Sequence, residues 1–545
     1  MPLSENWATL WEALAAAQPD HTAVVLGERR IRWRELDERA ARLATGLAGM
    51  GVTHDTKVAQ LLFNCPEYLE TVYAAFKKRA VPVNVNYRYL PDEIHHVLAG
   101  GDVEVLVFHG ALADRVAAVR DRLPNLKAVV QVDDGNPHLD GALRYEDLVT
   151  TSAPAAPVAR SGEDSLILFT GGTTGLPKGV VWKHFDLFQS LAYSGYMAMG
   201  IPVPETADEV GRVAADLNAR GLSPVNLCAP PLMHGTALFL AMSTFVMGGT
   251  VVLLASRRFD PDELLSLVER ERATQLSIVG DAFAKPVAQA LERAEAERRP
   301  YDLSSLQRVT STGATFSVEA KRAIAARQPV MIIDMIGASE GGPYAMAITP
   351  PGVDPGDTAV FKVTDRTVLF DPETWERIEP GSGRVGVLAV GGVMPSEYYG
   401  DPAKSASTFR VIEGAKYSVP GDHALVDADG TVHLLGRGSV CINTGGEKVF
   451  PEEVEVAART HPGVADCNAV GVPDERFGEI VALVVSRVPG VDVSEADVVE
   501  AVKARLASYK APRVVVFVGE IKRSPAGKAD YRWARAQAAE ALGRT

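Results

Sequence analysis

Hydrophobic positions along the chain recur with two periods, one typical of helices and the other of buried strands. Apolar residues spaced three or four apart at 36–50 and 68–78 predict helices, the first ending at Gly51. Short apolar runs predict strands at 58–63, 81–85, 105–109 and 128–132. Because helical and strand-like segments alternate, the pattern favours layered α/β structure.

One uncharged stretch, residues 237–254, is about long enough to cross a bilayer. It contains Gly248 and Gly249, and β-branched residues follow at 250–252. This order predicts a buried helix, a glycine turn and then a buried strand. We therefore expect no membrane span.

Breaks in the pattern indicate how the chain is organised. Residues 151–164 are rich in Ser, Ala and Pro, which is typical of a surface connection, and the polar segment 201–225 suggests an excursion from the core. A tight-turn sequence at 427–430 precedes the last part of the chain. We predict an N-terminal domain at 1–435 and a C-terminal lid domain at 436–545.

The lid domain is expected to mix helices and strands. Its predicted elements are a helix from Pro451, strands at 466–472 and 480–487, a helix at 495–507 and a strand at 513–518. The expected fold class is therefore α/β, with a large N-terminal domain of layered α/β subdomains and a small, mobile α+β C-terminal lid.

The formal net charge is −14, which argues against general nucleic-acid binding because that role needs a basic surface. The cysteines form no CxxC or Cys/His cluster and stand at Cys65, Cys228, Cys441 and Cys467. Their spacing argues against a structural zinc site and disulfides, and it favours a reducing cytoplasm. Residues 1–20 lack the pattern of a secretory signal.

The strongest chemical signal is the segment 166–180, LILFTGGTTGLPKGV. A buried strand leads into a loop whose glycines let backbone N–H groups approach an anion, while threonine hydroxyls add donors and Lys178 adds positive charge. The loop lacks the ending of a Walker A motif. A flexible turn is the alternative, but the combination of glycine, hydroxyl and lysine favours a phosphate site.

This segment resembles the phosphate loop of the adenylate-forming superfamily, which contains acyl-CoA synthetases, luciferases and peptide-synthetase adenylation domains. Nearly the whole chain carries further family-like motifs in the family's order. They are 64–68 (NCPEY), 80–93 (AVPVNVNYRYLPDE), 231–235 (PLMHG), 311–314 (STGA), 334–340 (DMIGASE), 417–422 (YSVPGD), 435–439 (LGRGS) and 524–528 (SPAGK). The chain is identified as a member of this superfamily on these motifs.

The resemblance implies an ATP-dependent acid–thiol ligase that makes an acyl-adenylate and passes the acyl group to coenzyme A. It implies ATP, Mg²⁺ and coenzyme A as cofactors and a carboxylic acid or its acyl-adenylate as partner, with a homodimer left open. The implied nucleotide-binding residues are Thr170, Gly171, Gly172, Thr173, Thr174, Gly175, Lys178, Gly313, Ala314, Asp334, Met335, Ile336, Gly337, Ser339, Asp422 and Arg437.

Three charged residues take distinct roles in this resemblance. Asp422 would accept both ribose hydroxyls, Glu340 would contact Mg²⁺, which prefers oxygen ligands, and Arg437 would bond to phosphate or ribose. The alternatives are a turn aspartate, a solvated loop glutamate and an ion pair at the domain joint.

The catalytic residues implied by the family are Lys528, Glu340 and His234. Lys528 would neutralise charge that develops during attack on the α-phosphate, although such a tail lysine is usually solvated. His234 would lie beside the acyl carboxylate, which is already ionised and needs no general base; a core histidine is the alternative. The loop that resembles the pantetheine tunnel contains Gly445, Gly446 and Lys448, unless it is an ordinary helix-entry turn.

Three positions depart from the usual family pattern. The phosphate loop has Gly171 where serine is usual, Ile336 replaces an aromatic residue of the adenine segment, and Ser439 replaces Asp or Lys at the hinge. Together with 279–283 (VGDAF), these departures resemble an actinobacterial branch that includes ligases for steroid side-chain acids and other bulky polycyclic or isoprenoid acids. Glu397 stands where that branch usually has glycine.

These departures leave several functions open. A full acyl-CoA ligase for a bulky acid is the leading hypothesis. A half-reaction enzyme would perform only thioesterification of a supplied acyl-adenylate. Two further hypotheses are an enzyme that loads a carrier protein and a non-catalytic protein that binds an adenylate.

Overall fold

The computed structural model of the chain describes residues 4–170, 177–358, 360–437, 440, 442–444, 447–474, 478–506, 508–523 and 529–543. They form two compact units. The first unit contains the described residues of 1–172, 176–360 and 391–418, and the second contains those of 361–390 and 419–545.

The α-helices lie in both units. Those of the first unit are α1 (Trp7–Ala17), α2 (Trp33–Gly49), α3 (Pro66–Lys77), α4 (Pro91–Gly100), α5 (Ala113–Arg120), α6 (Tyr145–Thr151), α7 (His184–Ala198), α8 (Ala207–Ala219), α9 (Gly235–Val246), α10 (Pro261–Arg270), α11 (Asp281–Ala296), α12 (Val318–Ala325), α13 (Pro355–Thr358) and α14 (Pro402–Thr408). Those of the second are α15 (Pro451–Ala458), α16 (Glu495–Lys503) and α17 (Tyr531–Ala541).

The strands follow the same division. The first unit contains β1 (Thr22–Leu26), β2 (Arg29–Arg32), β3 (Lys57–Leu61), β4 (Val81–Asn84), β5 (Val103–His109), β6 (Ala128–Val132), β7 (Leu143–Arg144), β8 (Ser165–Thr170), β9 (Lys178–Lys183), β10 (Val225–Cys228), β11 (Thr250–Leu253), β12 (Gln275–Ile278), β13 (Arg308–Thr312), β14 (Met331–Ala338) and β15 (Gly341–Thr349). Next come β16 (Lys362–Val363), β17 (Thr367–Phe370), β18 (Arg377–Ile378) and β19 (Gly386–Gly391), which belong to the second unit apart from Gly391.

The remaining strands complete both units. The chain returns to the first unit for β20 (Glu397–Tyr398), β21 (Phe409–Ile412) and β22 (Ala415–Ser418). It then forms β23 (Asp422–Val426), β24 (Val432–Arg437), β25 (Ile442–Thr444), β26 (Glu447–Val449), β27 (Val464–Asp474), β28 (Gly478–Arg487) and β29 (Val514–Val518) in the second.

Two sheets dominate the first unit, and both are largely parallel. One runs β20-β9-β8-β4-β3-β5-β6-β7, and the other includes the path β15-β14-β13-β12-β10-β11-β1-β2. Strands β3, β4 and β11 are buried along their whole length, as expected of parallel strands covered on both faces. The strands predicted at 58–63, 81–85, 105–109 and 128–132 are thereby confirmed.

The uncharged stretch 237–254 folds as predicted into a helix, a turn and a buried strand. Gly248, between α9 and β11, has φ of +73°, and a Cβ there would lie 2.6 Å from the carbonyl oxygen of Ala214. Glycine is therefore required by both the left-handed conformation and the close packing. Among the described residues, no helix is long and apolar enough to cross a membrane.

The segment 201–225 is not an excursion from the core, contrary to the sequence prediction. It contains α8, whose side chains Val210, Ala214 and Leu217 are buried in the core of the first unit. Gly211 brings α8 against α1, since a Cβ there would lie 2.9 Å from the carbonyl oxygen of Ala13. The polar residues that suggested a surface loop occupy the outer face of an amphipathic helix.

The described residues of the second unit include strands of two further β-sheets and the helices α15, α16 and α17. One sheet contains the path β18-β17-β19-β23-β24, and the other runs β26-β25-β28-β27 with β29 beside β28. Helices α15 and α16 pack against one face of the latter sheet and α17 against the other. The helix predicted at 495–507 ends earlier, at Lys503. The predicted boundary at 435/436 falls within β24 and stays a prediction.

Candidate active site

The carboxyl ends of the parallel strands carry the predicted phosphate and adenine segments of the first unit. Thr170 ends β8, Gly313 follows β13, and Ser339 and Glu340 form the turn between β14 and β15. Ligands of open α/β sheets bind at this edge. The hydroxyls of Thr170 and Ser339 lie 3.1 Å apart, so the ends of the two sheets meet at these residues.

Glu340 is almost buried, and hydrogen bonds hold both of its carboxylate oxygens. Ser339 Oγ donates to Oε2 at 2.8 Å, and the hydroxyl of Tyr398 donates to Oε1 at 2.5 Å. Its backbone carbonyl accepts from Ser418 Oγ at 2.6 Å. Since Ser339 has one hydroxyl proton, and that proton goes to Glu340, Thr170 must donate to Ser339. The carboxylate is therefore fixed at the end of the phosphate strand.

The carboxylate oxygens of Glu340 are suitable ligands for a magnesium ion that arrives with a nucleotide. Each carboxylate oxygen has two lone pairs, so it can accept a hydrogen bond and still contact a cation. Mg²⁺ is commonly bound by one or two carboxylates together with substrate phosphates. The described part of the chain has no cluster of three or more His, Cys, Asp or Glu side chains that could form a metal cage alone.

Lys178 lies at the start of β9, just after the phosphate loop. Its ammonium forms an ion pair with Asp401 at 2.9 Å and lies 5.7 Å from the centre of the Tyr398 ring. Both charged side chains are substantially exposed, so the lysine remains accessible to an anion. The predicted residues Gly171, Gly172, Thr173, Thr174 and Gly175 lie outside the described residues.

The adenine segment is formed by the end of β13 and by β14. Gly313 has φ of +88° and is exposed, with Ala314 next to it. The Thr312 hydroxyl donates to the Met335 carbonyl at 3.0 Å and ties the two segments together. Ile336 is partly buried and Gly337 is exposed, so this strand presents some of its surface at the edge.

Asp334, in the same strand, is engaged in a buried ion pair. Its carboxylate accepts from Lys321 Nζ at 2.7 Å, and both side chains are almost completely buried. Burial raises the pKa of Asp334, while the Lys321 ammonium opposes this shift. The predicted adenine-segment aspartate is thus committed to a contact within the first unit.

His234 is partly buried and immediately precedes α9. Polar side chains fix the backbone just before it: Asn64 Oδ1 accepts from Leu232 N at 2.9 Å, and Asn84 Nδ2 donates to the Met233 carbonyl at 2.7 Å. The histidine therefore begins a helix whose entry is firmly positioned.

Asn84 connects this entry to the phosphate strand, a role that the motif at 80–93 does not predict. Its amide donates to the Phe169 carbonyl at 2.9 Å and accepts from Phe169 N at 2.6 Å. The residue is buried in an otherwise apolar strand. An isolated amide in a buried strand was the available signal, because such a group needs hydrogen-bond partners.

Trp182 is a second connecting residue that the sequence analysis missed. Its indole Nε1 donates to the Ser339 carbonyl at 3.1 Å, and its ring packs edge-on against Phe239 of α9 at 5.9 Å. It therefore links the Glu340 turn to the helix that starts after His234. Nothing in the local sequence indicates this long-range contact.

The second unit carries the remaining predicted residues. Asp422 begins β23 and is paired in register with Arg437 of β24. Arg437 and Lys448 lie in strands β24 and β26, where their backbone alone is described. Ser439, Gly445, Gly446 and Lys528 lie outside the described residues.

Residues on both sides of the segment that contains Lys528 make specific contacts within the second unit. Arg523 pairs with Ala529 in an isolated antiparallel bridge, and its guanidinium binds Asp466 at 2.6 Å. Asp530 caps α17 by accepting from Trp533 N at 3.0 Å. The chain on either side of the predicted catalytic lysine is thereby anchored to the second unit.

Comparison with known proteins places this arrangement in a family. The family model described as AMP-binding enzyme matches residues 11–399, and that of the AMP-binding enzyme C-terminal domain matches 453–528. The chain is 40% identical to a 3-oxocholest-4-en-26-oate–CoA ligase of Rhodococcus rhodochrous, over 98% of this chain and 96% of the relative. It is 39% identical to a medium-chain acyl-CoA ligase of Mycobacterium avium, over 97% of both chains.

The fold also matches that of solved structures. An anthranilate CoA ligase in complex with anthranoyl-AMP superposes with a TM-score of 0.82 at 23% identity, covering 100% of this chain and 99% of that one. The similarity supports the mixed α/β fold with a large N-terminal and a small C-terminal part, as the sequence predicts.

Proposed function

The chain belongs to the AMP-binding enzyme family and is an acyl-CoA ligase, and we propose that it activates a bulky carboxylic acid with MgATP before joining the acid to coenzyme A. The observation that carries the adenylation half is the bonded series Thr170–Ser339–Glu340–Tyr398. It fixes a carboxylate suited to Mg²⁺ at the end of the strand that leads into the phosphate loop.

In the first step, the acid carboxylate attacks the α-phosphorus of ATP and pyrophosphate leaves. The phosphate loop 170–175 and Lys178 bind the phosphates, while His234 lies beside the attacking carboxylate. Asp422 binds the ribose and Arg437 bonds to phosphate or ribose. Catalysis consists mainly of positioning and charge neutralisation, to which Lys528 contributes a cation.

In the second step, the coenzyme A thiol attacks the acyl carbonyl and AMP leaves. The domain boundary at 435/436, with Ser439 as the hinge, permits a rotation that withdraws Lys528 and presents the loop of Gly445, Gly446 and Lys448 to the adenylate. Such a hinge motion gives one site two productive states.

Two features support a bulky, polycyclic or isoprenoid acid. A relative 40% identical over nearly the full length is named for a steroid side-chain acid, 3-oxocholest-4-en-26-oate. The resemblance of 279–283 and of the departures at the phosphate loop and hinge points to the same branch. Medium-chain fatty acids are the second candidate class, because similar relatives are named for medium-chain acyl groups and for medium- and long-chain fatty acids.

Paired half-reaction assays test the proposed chemistry. Acid-dependent ATP–pyrophosphate exchange reports adenylation, and thioester formation from a supplied acyl-adenylate reports the second step. We expect both activities over a panel of steroid, terpenoid, aromatic and fatty acids, with the largest exchange rate for a polycyclic or isoprenoid acid. Thioester formation without exchange would instead support a half-reaction enzyme, and absence of both would support an adenylate-binding protein.

Replacing Lys528 separates the two steps. We expect Lys528→Ala to reduce exchange by about 100-fold or more, because a preorganised charge that stabilises the transition state is lost. Thioester formation from supplied adenylate should change much less. Lys522→Ala, six residues earlier, is the matched control and should leave both activities near normal. Equal loss of both activities in Lys528→Ala would contradict its assigned role.

A further inference from the structure

Two adjacent tyrosines of the first unit place their hydroxyls on different carboxylates. Tyr398 is buried and donates to Glu340 at 2.5 Å. Tyr399 donates to Asp102 at 3.0 Å, at a position exposed to solvent. The neighbouring residues therefore offer the same functional group in two settings, and one of these is the carboxylate of the proposed metal site.

The backbone around Tyr398 is held at several points. Strand β20 pairs with β9, which begins at Lys178. Tyr399 N donates to the Gly179 carbonyl at 2.7 Å, and Tyr398 N donates to Ser405 Oγ at 2.8 Å. The Tyr398 ring also packs against Phe409 with centroids 5.5 Å apart. A phenol on such a supported segment can hold its acceptor in one orientation.

We infer that Tyr398 is a positioning residue for the divalent cation of the adenylation step, acting through Glu340. The inference rests on the metal role proposed above for Glu340. The phenol holds Oε1 and Ser339 holds Oε2, so the carboxylate plane is set before the cation arrives. Partners that orient a metal ligand typically change metal affinity or activity by about 10- to 100-fold when removed.

Direct binding tests this inference without turnover. We would measure the dissociation constant of α,β-methylene-ATP by calorimetry, with excess Mg²⁺ and with EDTA. Tyr398→Phe keeps the ring and removes the hydroxyl, so we expect the Mg²⁺-dependent gain in affinity to fall by about tenfold. Binding in EDTA should remain unchanged. Tyr399→Phe, which removes the neighbouring hydroxyl, should preserve both constants.

The exchange assay gives a second readout. Tyr398→Phe should raise the Mg²⁺ concentration for half-maximal ATP–pyrophosphate exchange by about tenfold, while thioester formation from supplied adenylate changes less than about twofold. An unchanged Mg²⁺ requirement, or the same shift in Tyr399→Phe, would overturn the inference. Loss of nucleotide binding in EDTA would also overturn it, since the role would then be structural.

Glu340→Gln separates failure of the inference from failure of its premise. If this variant loses the Mg²⁺-dependent affinity while Tyr398→Phe retains it, the positioning role is wrong and the metal role stands. If Glu340→Gln itself retains Mg²⁺-dependent binding and exchange, both the metal role and the inference fail.

Discussion

Two lysine–aspartate pairs of the first unit have similar geometry and very different surroundings. Lys321 and Asp334 are 2.7 Å apart with side chains 3% and 5% exposed. Lys178 and Asp401 are 2.9 Å apart, with 43% and 38% exposed. Asp334 and Lys178 both fall in segments that resemble nucleotide-binding motifs. Burial therefore distinguishes a residue committed to the fold from one that stays accessible to a ligand.

The difference in burial gives Asp334 and Lys178 different roles toward a nucleotide. A buried pair carries a large desolvation cost, so removing one partner leaves an uncompensated charge. A half-exposed ion pair contributes little to stability. Another anion can therefore replace the carboxylate beside the lysine at low cost. We therefore expect Asp334 to support the nucleotide by fixing β14, with the nucleotide touching the exposed part of that strand, whereas Lys178 can exchange Asp401 for phosphate.

The largest effect should follow from breaking the buried pair. We expect Asp334→Asn to reduce the free energy of unfolding by about 3–5 kcal/mol, because Lys321 is left charged without its carboxylate. Chemical denaturation followed by circular dichroism would measure this loss. Where the variant remains folded, its affinity for ATP should fall only modestly, because Asp334 supports β14 and does not touch the nucleotide itself.

The helix that supplies Lys321 also offers a matched control. Arg322, the next residue of α12, forms an exposed pair with Asp354 at 2.8 Å. Asp354→Asn should reduce the free energy of unfolding far less than Asp334→Asn, because an exposed ion pair contributes little to stability. Equal effects of the two substitutions would contradict the distinction between buried and exposed pairs.

A partly buried acid of the second unit extends the comparison to a group with a raised pKa. Burial first, and repulsion from Glu455 second, raise the pKa of Glu452 from its ordinary 4.5 to about 7. The folded state therefore binds this proton more tightly than the unfolded chain. The contribution of Glu452 to stability is most favourable below pH 4.5 and declines as the pH rises to about 7.

Replacing Glu452 should flatten that decline. We expect the melting temperature of the transition that includes the second unit to fall between pH 5 and pH 8, through a loss of about 3 kcal/mol. Glu452→Gln removes the titrating group and should reduce the fall. Glu500→Gln, an exposed residue of α16, removes the same charge and should leave the pH profile unchanged. Identical profiles for both variants would contradict the role of burial.

The sequence predicted much of the fold because its elements depend on local patterns. The helix–glycine–strand order at 237–254 and the buried parallel strands are confirmed. The two wrong predictions have physical causes. The polar face of α8 gives segment 201–225 the composition of a surface loop, and helix-favouring residues continue at 504–507 beyond the end of α16 at Lys503.

The candidate site was less predictable because its contacts are long-range. Family motifs identified Thr170, Ser339 and Glu340, which the structure brings together. The connecting residues Asn84, Trp182 and Tyr398 bond to residues that are distant in sequence, and these partners are set by how the two sheets meet. The ion pair between Lys321 and Asp334 was unpredictable for the same reason. The local sequence pattern does not indicate which lysine packs beneath a strand.

The smallest effect should come from the exposed pair. Asp401→Asn leaves an oxygen that can still cap α14, where Oδ1 accepts from Lys404 N at 2.9 Å, and it removes the charge facing Lys178. A pair this exposed contributes at most about 1 kcal/mol. Freed from its partner, the lysine should bind phosphate more readily, so we expect the KM for ATP to fall by about two- to fivefold at low salt.

Two controls test whether loss of the Lys178–Asp401 ion pair causes the fall in KM: the salt dependence of the effect and removal of a neighbouring charge. The decrease in KM for ATP caused by Asp401→Asn should shrink towards zero near 0.5 M salt, because exposed charges are screened within about 5 Å at that concentration. Glu397→Gln, an exposed acid on the same segment, removes an equal charge without touching this ion pair. An equal fall in KM for both variants would mean that general surface potential, and not release of Lys178, controls ATP binding. A fall in KM confined to Asp401→Asn would show that Lys178 exchanges Asp401 for phosphate, whereas the buried pair of Lys321 and Asp334 stays fixed.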